Sequence, residues 1–232
     1  MNIKQSIKRY AWSYLVSSIR DGVATQRIQP LVSDGPYIPW SESALSATAV
    51  ATVLNDIVVN RRSTIVECGG GVSSLFIGAL LREQDQSGAH LYTIEHDEGW
   101  IEVLQKMLED HYVDEWVTII HAPLHETRIS WNGEPWYDTA VLESEIQGDE
   151  IDLLLVDGPP AHHSELAYSR YPAGPFFRNT LNERCCIVVD DIDRDAEREI
   201  VQAWENDLHI SFQERLLQGN IAIGTRGQAF TI

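Results

Sequence analysis

The chain has 232 residues, 44% of them hydrophobic, and a formal net charge of −18 at pH 7. This length suits one sizeable domain, which buries about 70–75% of the surface of its unfolded chain. Because affinity for DNA and RNA depends on neutralising phosphates with lysine and arginine, a surface this acidic argues against a nucleic-acid partner.

Three cysteines, Cys68, Cys185 and Cys186, have a spacing that fits neither a disulfide framework nor a zinc site. The chain has no run of 18 apolar residues, so no transmembrane segment is predicted. The first residues lack the apolar core and the cleavage site of a signal peptide. Together these features predict a cytoplasmic protein.

Residues 1–20 form a basic segment without an acidic residue. Its basic residues are Lys4, Lys8, Arg9 and Arg20, and the apolar residues that could line one side of a helix are Ile3, Ile7, Trp12, Leu15 and Ile19. We expect this helix to dock on the body of the protein or on a second subunit, which would make a homodimer. Weak peripheral contact with an anionic membrane surface is the alternative.

Residues 22–40 are polar and contain several prolines, which predicts an extended connection. We therefore divide the chain into an N-terminal helix with this connection, residues 1–40, and a main domain, residues 41–232. A helix is predicted to begin at Ser41, because serine is a good N-cap and Glu42 suits the first helical turn.

From residue 64 onward, apolar strand patterns alternate with helical patterns. The strand-like runs TIVE, IDLLLV and CCIVV are apolar throughout, which is typical of parallel strands covered by helices on both faces. Near the C-terminus a hairpin around residues 218–220 breaks the alternation. These patterns predict an α/β fold with a doubly wound, mostly parallel seven-stranded sheet whose last strand is antiparallel.

A glycine-rich turn follows the first predicted strand. Gly69, Gly70 and Gly71 let a ligand approach the backbone closely, because no Cβ stands in the way. The helix that begins near Ser73 would offer unpaired N–H groups to an anion. Glu67, just before the turn, places a negative charge where such an anion would lie.

Acidic residues end four of the five predicted parallel strands. The strand ends are Glu67, Glu95, Ala122, Asp157 and the pair Asp190 and Asp191. In a doubly wound sheet, ligands bind beyond the carboxyl ends of the strands, so this ring of acids predicts a ligand or metal site. A dinucleotide fits poorly, because Ser74 stands where the third glycine of its motif would be and Glu67 would repel the pyrophosphate.

A ligand with a ribose, a cationic centre and an ammonium group suits these acids better, and S-adenosylmethionine is such a ligand. The segment VECGGGVSS resembles the first motif of the class I S-adenosylmethionine-dependent methyltransferases, with Glu67, Gly69, Gly71 and Ser73 in matching places. YTIEHDEGW resembles their second-strand motif, and the terminal hairpin matches their reversed last strand. IDLLLVDGPP, YSRYP and IVVDDIDR resemble bacterial members near the catechol O-methyltransferase-like group.

The resemblance implies a Rossmann-like methyltransferase fold and a set of cofactor-binding residues. These residues are Glu67, Gly69, Gly70, Gly71, Ser73, Glu95, His96, Ala122, Leu124 and Asp157. In this assignment the glycines line the methionine part, Glu67 favours the ammonium group and Glu95 holds the ribose. Ala122 and Leu124 would border the adenine.

The resemblance also implies a divalent cation, with Asp157, Asp190 and Asp191 as ligands that suit Mg²⁺. The catechol-type pair is usually Asp-Asn, whereas this chain has Asp-Asp. The alternative is that Asp157 contacts the cofactor or the substrate while the pair caps the next helix. Without a metal, His162 or His163 is the candidate general base, alongside Asp157 in the catalytic set.

The insert before the fourth parallel strand contains Trp131, Trp136 and Tyr137, which could form the wall of an acceptor pocket or pack against the sheet.

We interpret the chain as an S-adenosylmethionine-dependent methyltransferase that acts on oxygen of a small-molecule or glycan-like acceptor. The alternatives are a nicotinamide-dependent oxidoreductase of Rossmann type and a non-catalytic cofactor-binding protein of the same fold. Glu67 and the terminal hairpin argue against the oxidoreductase.

Overall fold

The computed structural model describes residues 3–41, 43–84, 88–146, 148, 150–227 and 230. Its α-helices are α1 (Ile3–Ile28), α2 (Ala47–Asn60), α3 (Val72–Gln84), α4 (Glu98–Asp110), α5 (Thr139–Glu145), α6 (Ala173–Phe177) and α7 (Asp195–Leu208). Its strands are β1 (Thr64–Cys68), β2 (His90–Glu95), β3 (Val117–His121), β4 (Leu124–His125), β5 (Trp136–Tyr137), β6 (Ile151–Val156), β7 (Leu181–Val189), β8 (Phe212–Arg215) and β9 (Ile221–Thr225). Short 3₁₀ helices span Gln29–Val32 and Asp114–Trp116.

Seven of the described strands form one sheet in the order β3-β2-β1-β6-β7-β9-β8. The pairs from β3 to β7 are parallel, and β9 is antiparallel to both β7 and β8. The doubly wound, mostly parallel sheet and its antiparallel last strand are therefore confirmed. β4 and β5 form a separate two-stranded sheet in the insert.

The apolar strands form because both of their faces are covered. In β6, Leu153 and Leu155 belong to the cluster that packs under α2 and α3, whereas Leu154 and Val156 belong to the cluster under α7. Asp152 is the polar exception in this strand. Its carboxylate accepts hydrogen bonds from the backbone N–H and the hydroxyl of Ser63 at 2.8 and 2.7 Å, which ties β6 to the start of β1.

The prediction of an extended connection over residues 22–40 is wrong for its first part, since α1 continues to Ile28 and a 3₁₀ turn follows. The helix continues because Ala24 and Ile28 are buried against the body of the protein. Asp21 fixes its position, since the carboxylate accepts hydrogen bonds from the backbone N–H and the hydroxyl of Thr48 at 3.0 and 2.6 Å. The apolar residues of α1 that pack on the body, Ala24 and Ile28, lie beyond the segment 1–20 for which docking was predicted.

The opposite side of α1 is exposed. Trp12, Leu15 and Ile19 have 67%, 50% and 58% of their surface accessible, so no described residue covers this apolar stripe. The side chains of residues 1–11 are outside the described part. Contact of this helix with a membrane surface or a second copy stays a prediction. None of the helices described is long and apolar enough to cross a membrane.

Helix α2 begins at Ala47, so the predicted start at Ser41 is wrong. Ser46 is the N-cap, and its hydroxyl accepts a hydrogen bond from the backbone N–H of Ala49 at 3.1 Å. Burial of Leu45 explains the difference, because it holds the chain just before the helix against the core. Ser41 lies in the segment leading to the helix, and Glu42 lies outside the described residues.

Candidate functional site

A cavity of about 690 Å³ lies at the carboxyl ends of the parallel strands. This volume is in the range of small-molecule sites. The turns after β1, β2, β6 and β7 form its wall, together with residues 39, 41, 43–46 and 219–220. The predicted site residues in the wall are Gly69, Gly70, Gly71, Ser73, Glu95, His96, Asp157, His162, Asp190 and Asp191.

Four predicted site residues lie outside this wall: Ala122, Leu124, His163 and Glu67, of which Glu67 is described below. Ala122 is fully buried in the core below β3, and Leu124 pairs with Tyr137 between β4 and β5. His163 packs on the ring of His162 at a centroid distance of 4.1 Å, but only His162 lines the cavity. Tyr137, the partner of Leu124 in the two-stranded sheet of the insert, lines the cavity, whereas Ala122 and Leu124 do not.

The three glycines of the turn after β1 differ in how much space a side chain would have at each position. Gly69 has a φ of +89°, and a Cβ there would lie 2.8 Å from the backbone nitrogen of Gly158. A Cβ on Gly70 would lie 2.7 Å from side-chain atoms of Leu104 and Thr93. Around a Cβ on Gly71, no described atom lies within 4 Å. The fold therefore requires the first two glycines, whereas the third leaves space open beside the cavity.

Glu67 is fully buried behind this turn rather than in the cavity wall. One carboxylate oxygen accepts hydrogen bonds from the Thr93 hydroxyl at 2.9 Å and from the Ser74 hydroxyl. Ser74 in turn accepts from the backbone N–H of Gly71 at 2.9 Å. Burial raises the pKa of Glu67 to about 7, although these hydroxyls oppose the shift. Glu67 thus holds the turn in place, and its other oxygen has no hydrogen-bond partner among the described residues.

Glu95 ends β2 with a rigidly held carboxylate. One of its oxygens accepts hydrogen bonds from the backbone N–H groups of His96 and Asp97 at 2.6 and 2.9 Å. The Nδ1 atom of His96 lies 2.7 Å from the same oxygen. Burial acts to raise the pKa of Glu95, but the contacts with His96 and Asp97 outweigh it and lower that pKa. The wall therefore carries a fixed negative charge at this point.

Two contacts of the loop after β2 and of the helix that follows it were not predicted from the sequence. The carboxylate of Asp97 caps α4 by accepting from the backbone N–H of Trp100 at 2.9 Å. The indole N–H of Trp100 donates to the carbonyl oxygen of Gly70 at 2.7 Å, which joins α4 to the glycine turn. Both residues line the cavity. Their position beside Glu95 in YTIEHDEGW was the available signal.

Asp157, Asp190 and Asp191 come together, as predicted. One carboxylate oxygen from each lies within 4.8 Å of the other two. Burial raises the pKa of Asp157 to about 6 and the pKa of Asp190 well above its usual range, and the neighbouring carboxylates add to both shifts. Because these carboxylates repel one another, a positive charge among them stabilises the cluster.

Two arginines provide part of that positive charge. Arg170 is 3% exposed, and its guanidinium lies 3.4 Å from Asp157 and 3.0 Å from Asp191. Arg194 lies 2.9 Å from Asp191. The carboxylate of the buried Glu197 lies 3.7 Å from Arg170 and 3.4 Å from Arg194. Four carboxylates therefore surround two guanidinium groups, so a net negative charge remains when all of these groups are ionised.

The aromatic residues of the insert have separate positions. Trp131 stacks on Tyr168 at 4.9 Å and meets the edge of Tyr171 at 4.7 Å, which joins the insert to the loop that carries Arg170. Trp136 is fully buried, as the alternative interpretation expected. Of the insert's aromatic residues, Tyr137 is the one that lines the cavity.

A family model described as a methyltransferase domain matches residues 66–192. No curated protein sequence matches the chain.

Several solved structures share the fold. An O-methyltransferase from Bacillus cereus, in complex with S-adenosylhomocysteine, has a TM-score of 0.57 at 13% identity, covering 94% of this chain and 97% of its own. An O-methyltransferase from Streptomyces achromogenes involved in tomaymycin synthesis, in complex with S-adenosylmethionine, has a TM-score of 0.55 at 16% identity, covering 98% of this chain and 100% of its own. A methyltransferase from Podospora anserina, bound to S-adenosylhomocysteine, has a TM-score of 0.56 at 12% identity, covering 98% and 97%. At these identities the likeness shows the fold.

Proposed function

The chain belongs to the family of methyltransferase domains, and we propose that it transfers the methyl group of S-adenosylmethionine to an oxygen of a small-molecule acceptor. The fixed carboxylate of Glu95 beside the glycine turn carries this proposal, because a carboxylate in that place can accept hydrogen bonds from both ribose hydroxyls. The cofactors in the Bacillus cereus and Streptomyces achromogenes structures support it.

In this arrangement the methionine part of the cofactor lies along Gly69, Gly71 and Ser73. The acidic wall favours a cationic sulfonium and an ammonium group. It disfavours a nicotinamide dinucleotide, because the pyrophosphate would lie next to buried carboxylates. The charge of the site therefore supports S-adenosylmethionine over NAD.

Methyl transfer from a sulfonium is an in-line displacement with a good leaving group. The acceptor oxygen forms a bond to the methyl carbon as the carbon–sulfur bond breaks, and neutral S-adenosylhomocysteine remains. The protein has to align the acceptor and remove its hydroxyl proton. His162 lines the cavity and is our candidate to accept that proton, whereas His163 is not part of the cavity wall.

The acidic cluster fits a divalent cation, and we propose Mg²⁺ there. The donors are carboxylate oxygens, which Mg²⁺ prefers. Arg170 contacts one oxygen of Asp157 and one oxygen of Asp191, so each residue keeps its second oxygen. The negative charge left over by the two arginines also favours a cation. When bound, Mg²⁺ would lower the pKa of an acceptor hydroxyl.

Added Mg²⁺ is expected to raise the melting temperature of the wild-type protein, because it would relieve the repulsion within the cluster. The variant Asp190→Asn should lose this response, since it removes a ligand charge. Asp193→Asn is the matched control, because Asp193 lies outside the cavity wall and pairs with Asn220. Differential scanning fluorimetry with Mg²⁺ and with EDTA measures the shift. Equal melting temperatures of the wild-type protein under both conditions would count against the metal.

The cavity wall also contains hydroxyl and amide groups. Ser41, Ser43, Ser46 and Asn220 line the cavity, as does Arg194. Such groups hydrogen-bond to an acceptor that has several hydroxyls. They support a glycan-like or other polyhydroxylated acceptor.

Replacing Glu95 by glutamine is expected to weaken S-adenosylhomocysteine binding about 10- to 100-fold. This factor corresponds to the loss of about 1.5–3 kcal/mol of binding free energy, which is typical of hydrogen bonds to a charged group. The amide oxygen can still accept from the backbone of His96 and Asp97, so the loop should keep its shape. Glu98→Gln is the control, because Glu98 is exposed at the start of α4. Isothermal titration calorimetry compares the three proteins, and an unchanged affinity in Glu95→Gln would contradict the assignment.

The remaining expectations are part of the same proposal. The buried free thiols of Cys68, Cys185 and Cys186 suit a reducing cytoplasm. The negative charge supports a protein that binds no nucleic acid. The exposed stripe of α1 is the surface through which we would expect a homodimer or a membrane contact.

A further inference from the structure

The hydroxyl of Tyr137 is a buried polar group whose hydrogen-bonding capacity is not used within the described part of the chain. The side chain is 0% exposed, and its oxygen has no partner there. Buried polar groups are nearly always paired, because an unpaired one loses its hydrogen bonds to water without compensation. Phenylalanine would avoid this cost at the same position, so the hydroxyl calls for an explanation.

The hydroxyl lies where two turns of the cavity wall meet. A Cβ on Gly158 would lie 2.5 Å from the Tyr137 oxygen and 2.7 Å from the Cα of Gly69. The ring of Tyr137 also meets the ring of His96 edge-on, at a centroid distance of 6.4 Å. The oxygen is thus placed between the end of β1 and the end of β6, close to the loop that carries Glu95.

Burial, together with the surrounding carboxylates, keeps this hydroxyl protonated. Burial raises the pKa of Tyr137 well above its usual value, and the carboxylates of Glu95 and Asp157 add to the shift, whereas Arg170 opposes it. A protonated phenol has an O–H to donate, and none of the described residues accepts it. The group that accepts it would be a ligand in the cavity.

We infer that the Tyr137 hydroxyl donates a hydrogen bond to the nucleoside part of the bound cofactor, and is a cofactor-binding residue contributed by the insert. The inference rests on the proposed function, since it takes S-adenosylmethionine as the ligand. The nucleoside is chosen over the methionine part because Tyr137 packs against His96, next to the carboxylate assigned to the ribose. The ligand would then complete a hydrogen bond that the described residues leave unmade.

The variant Tyr137→Phe tests this directly. Without ligand it should be at least as stable as the wild-type protein, because it removes only an unpaired hydroxyl. Its affinity for S-adenosylhomocysteine should fall about tenfold, and its affinity for 5′-methylthioadenosine, which lacks the amino-acid part, should fall by a similar factor. Tyr112→Phe is the matched control, because the same change is made there on a side chain that is 75% exposed. Calorimetry gives the affinities, and thermal unfolding gives the stability.

Other outcomes overturn the inference in distinguishable ways. Wild-type affinity of Tyr137→Phe for both ligands would show that the hydroxyl does not contact the nucleoside. A lower melting temperature of the ligand-free variant with unchanged affinity would show that the hydroxyl has a structural partner. A tenfold loss for S-adenosylhomocysteine but none for 5′-methylthioadenosine would move the contact to the methionine part. If the wild-type protein binds neither ligand, the proposed function fails and this inference fails with it.

Discussion

Replacing Gly71 by valine is expected to abolish cofactor binding while the protein stays folded. No described atom lies within 4 Å of a Cβ at this position, and the backbone there is not left-handed, so the fold can accept a side chain. The side chain would instead occupy the space in which the cofactor has to approach the turn. We expect the affinity for S-adenosylhomocysteine to fall by at least about 100-fold, more than 2.7 kcal/mol.

The neighbouring glycine provides the contrast. A Cβ on Gly70 would lie 2.7 Å from atoms of Leu104 and Thr93, so Gly70→Ala should lower the stability of the fold itself. Calorimetry and thermal unfolding of both variants separate the two effects. If Gly71→Val bound S-adenosylhomocysteine normally, the cofactor could not lie along this turn.

Replacing Arg170 by methionine is expected to have the largest effect on stability. The arginine is buried among Asp157, Asp191 and Glu197, and its loss would leave their charges with Arg194 as the remaining described cation near them. Removing one partner from a buried ionic group costs on the order of 3–5 kcal/mol. Chemical denaturation of the ligand-free protein without Mg²⁺ measures this loss.

The cause of that loss can be tested as well. The stability deficit of Arg170→Met should shrink as the pH falls, because protonation of the carboxylates removes their repulsion. Saturating Mg²⁺ should restore part of the stability if the cation occupies the cluster. Arg198→Met is the control, since its pair with the exposed Asp195 is worth at most about 1 kcal/mol. A deficit that is independent of both pH and Mg²⁺ would mean that Arg170 acts through packing.

The sheet and its acidic edge could be predicted because their signals are local. The parallel strands contain short apolar runs. In the structure β2 ends at Glu95 as predicted, whereas β1 continues one residue past Glu67 to Cys68. Since parallel strands end at the same edge, Asp157, Asp190 and Asp191 could be brought together without knowing any loop.

The features that could not be predicted from the sequence depend on tertiary contacts. Ser41 and Ser46 are equally good caps, and burial of Leu45 selects the second. Likewise, α1 continues past residue 22 because Ala24 and Ile28 are buried against the body of the protein. The insert is held by the stacking of Trp131 on a loop that is distant in sequence, so local patterns could not decide which of its aromatic residues lines the cavity.

The central claim is that the cavity binds the S-adenosyl cofactor and not a dinucleotide. Isothermal titration calorimetry of the wild-type protein with S-adenosylhomocysteine and with NAD, at the same pH and salt, tests this most directly. We expect one S-adenosylhomocysteine molecule to bind per chain and NAD to give no binding heat, since the buried carboxylates repel its pyrophosphate. Saturable binding of NAD together with no response to S-adenosylhomocysteine would contradict the account.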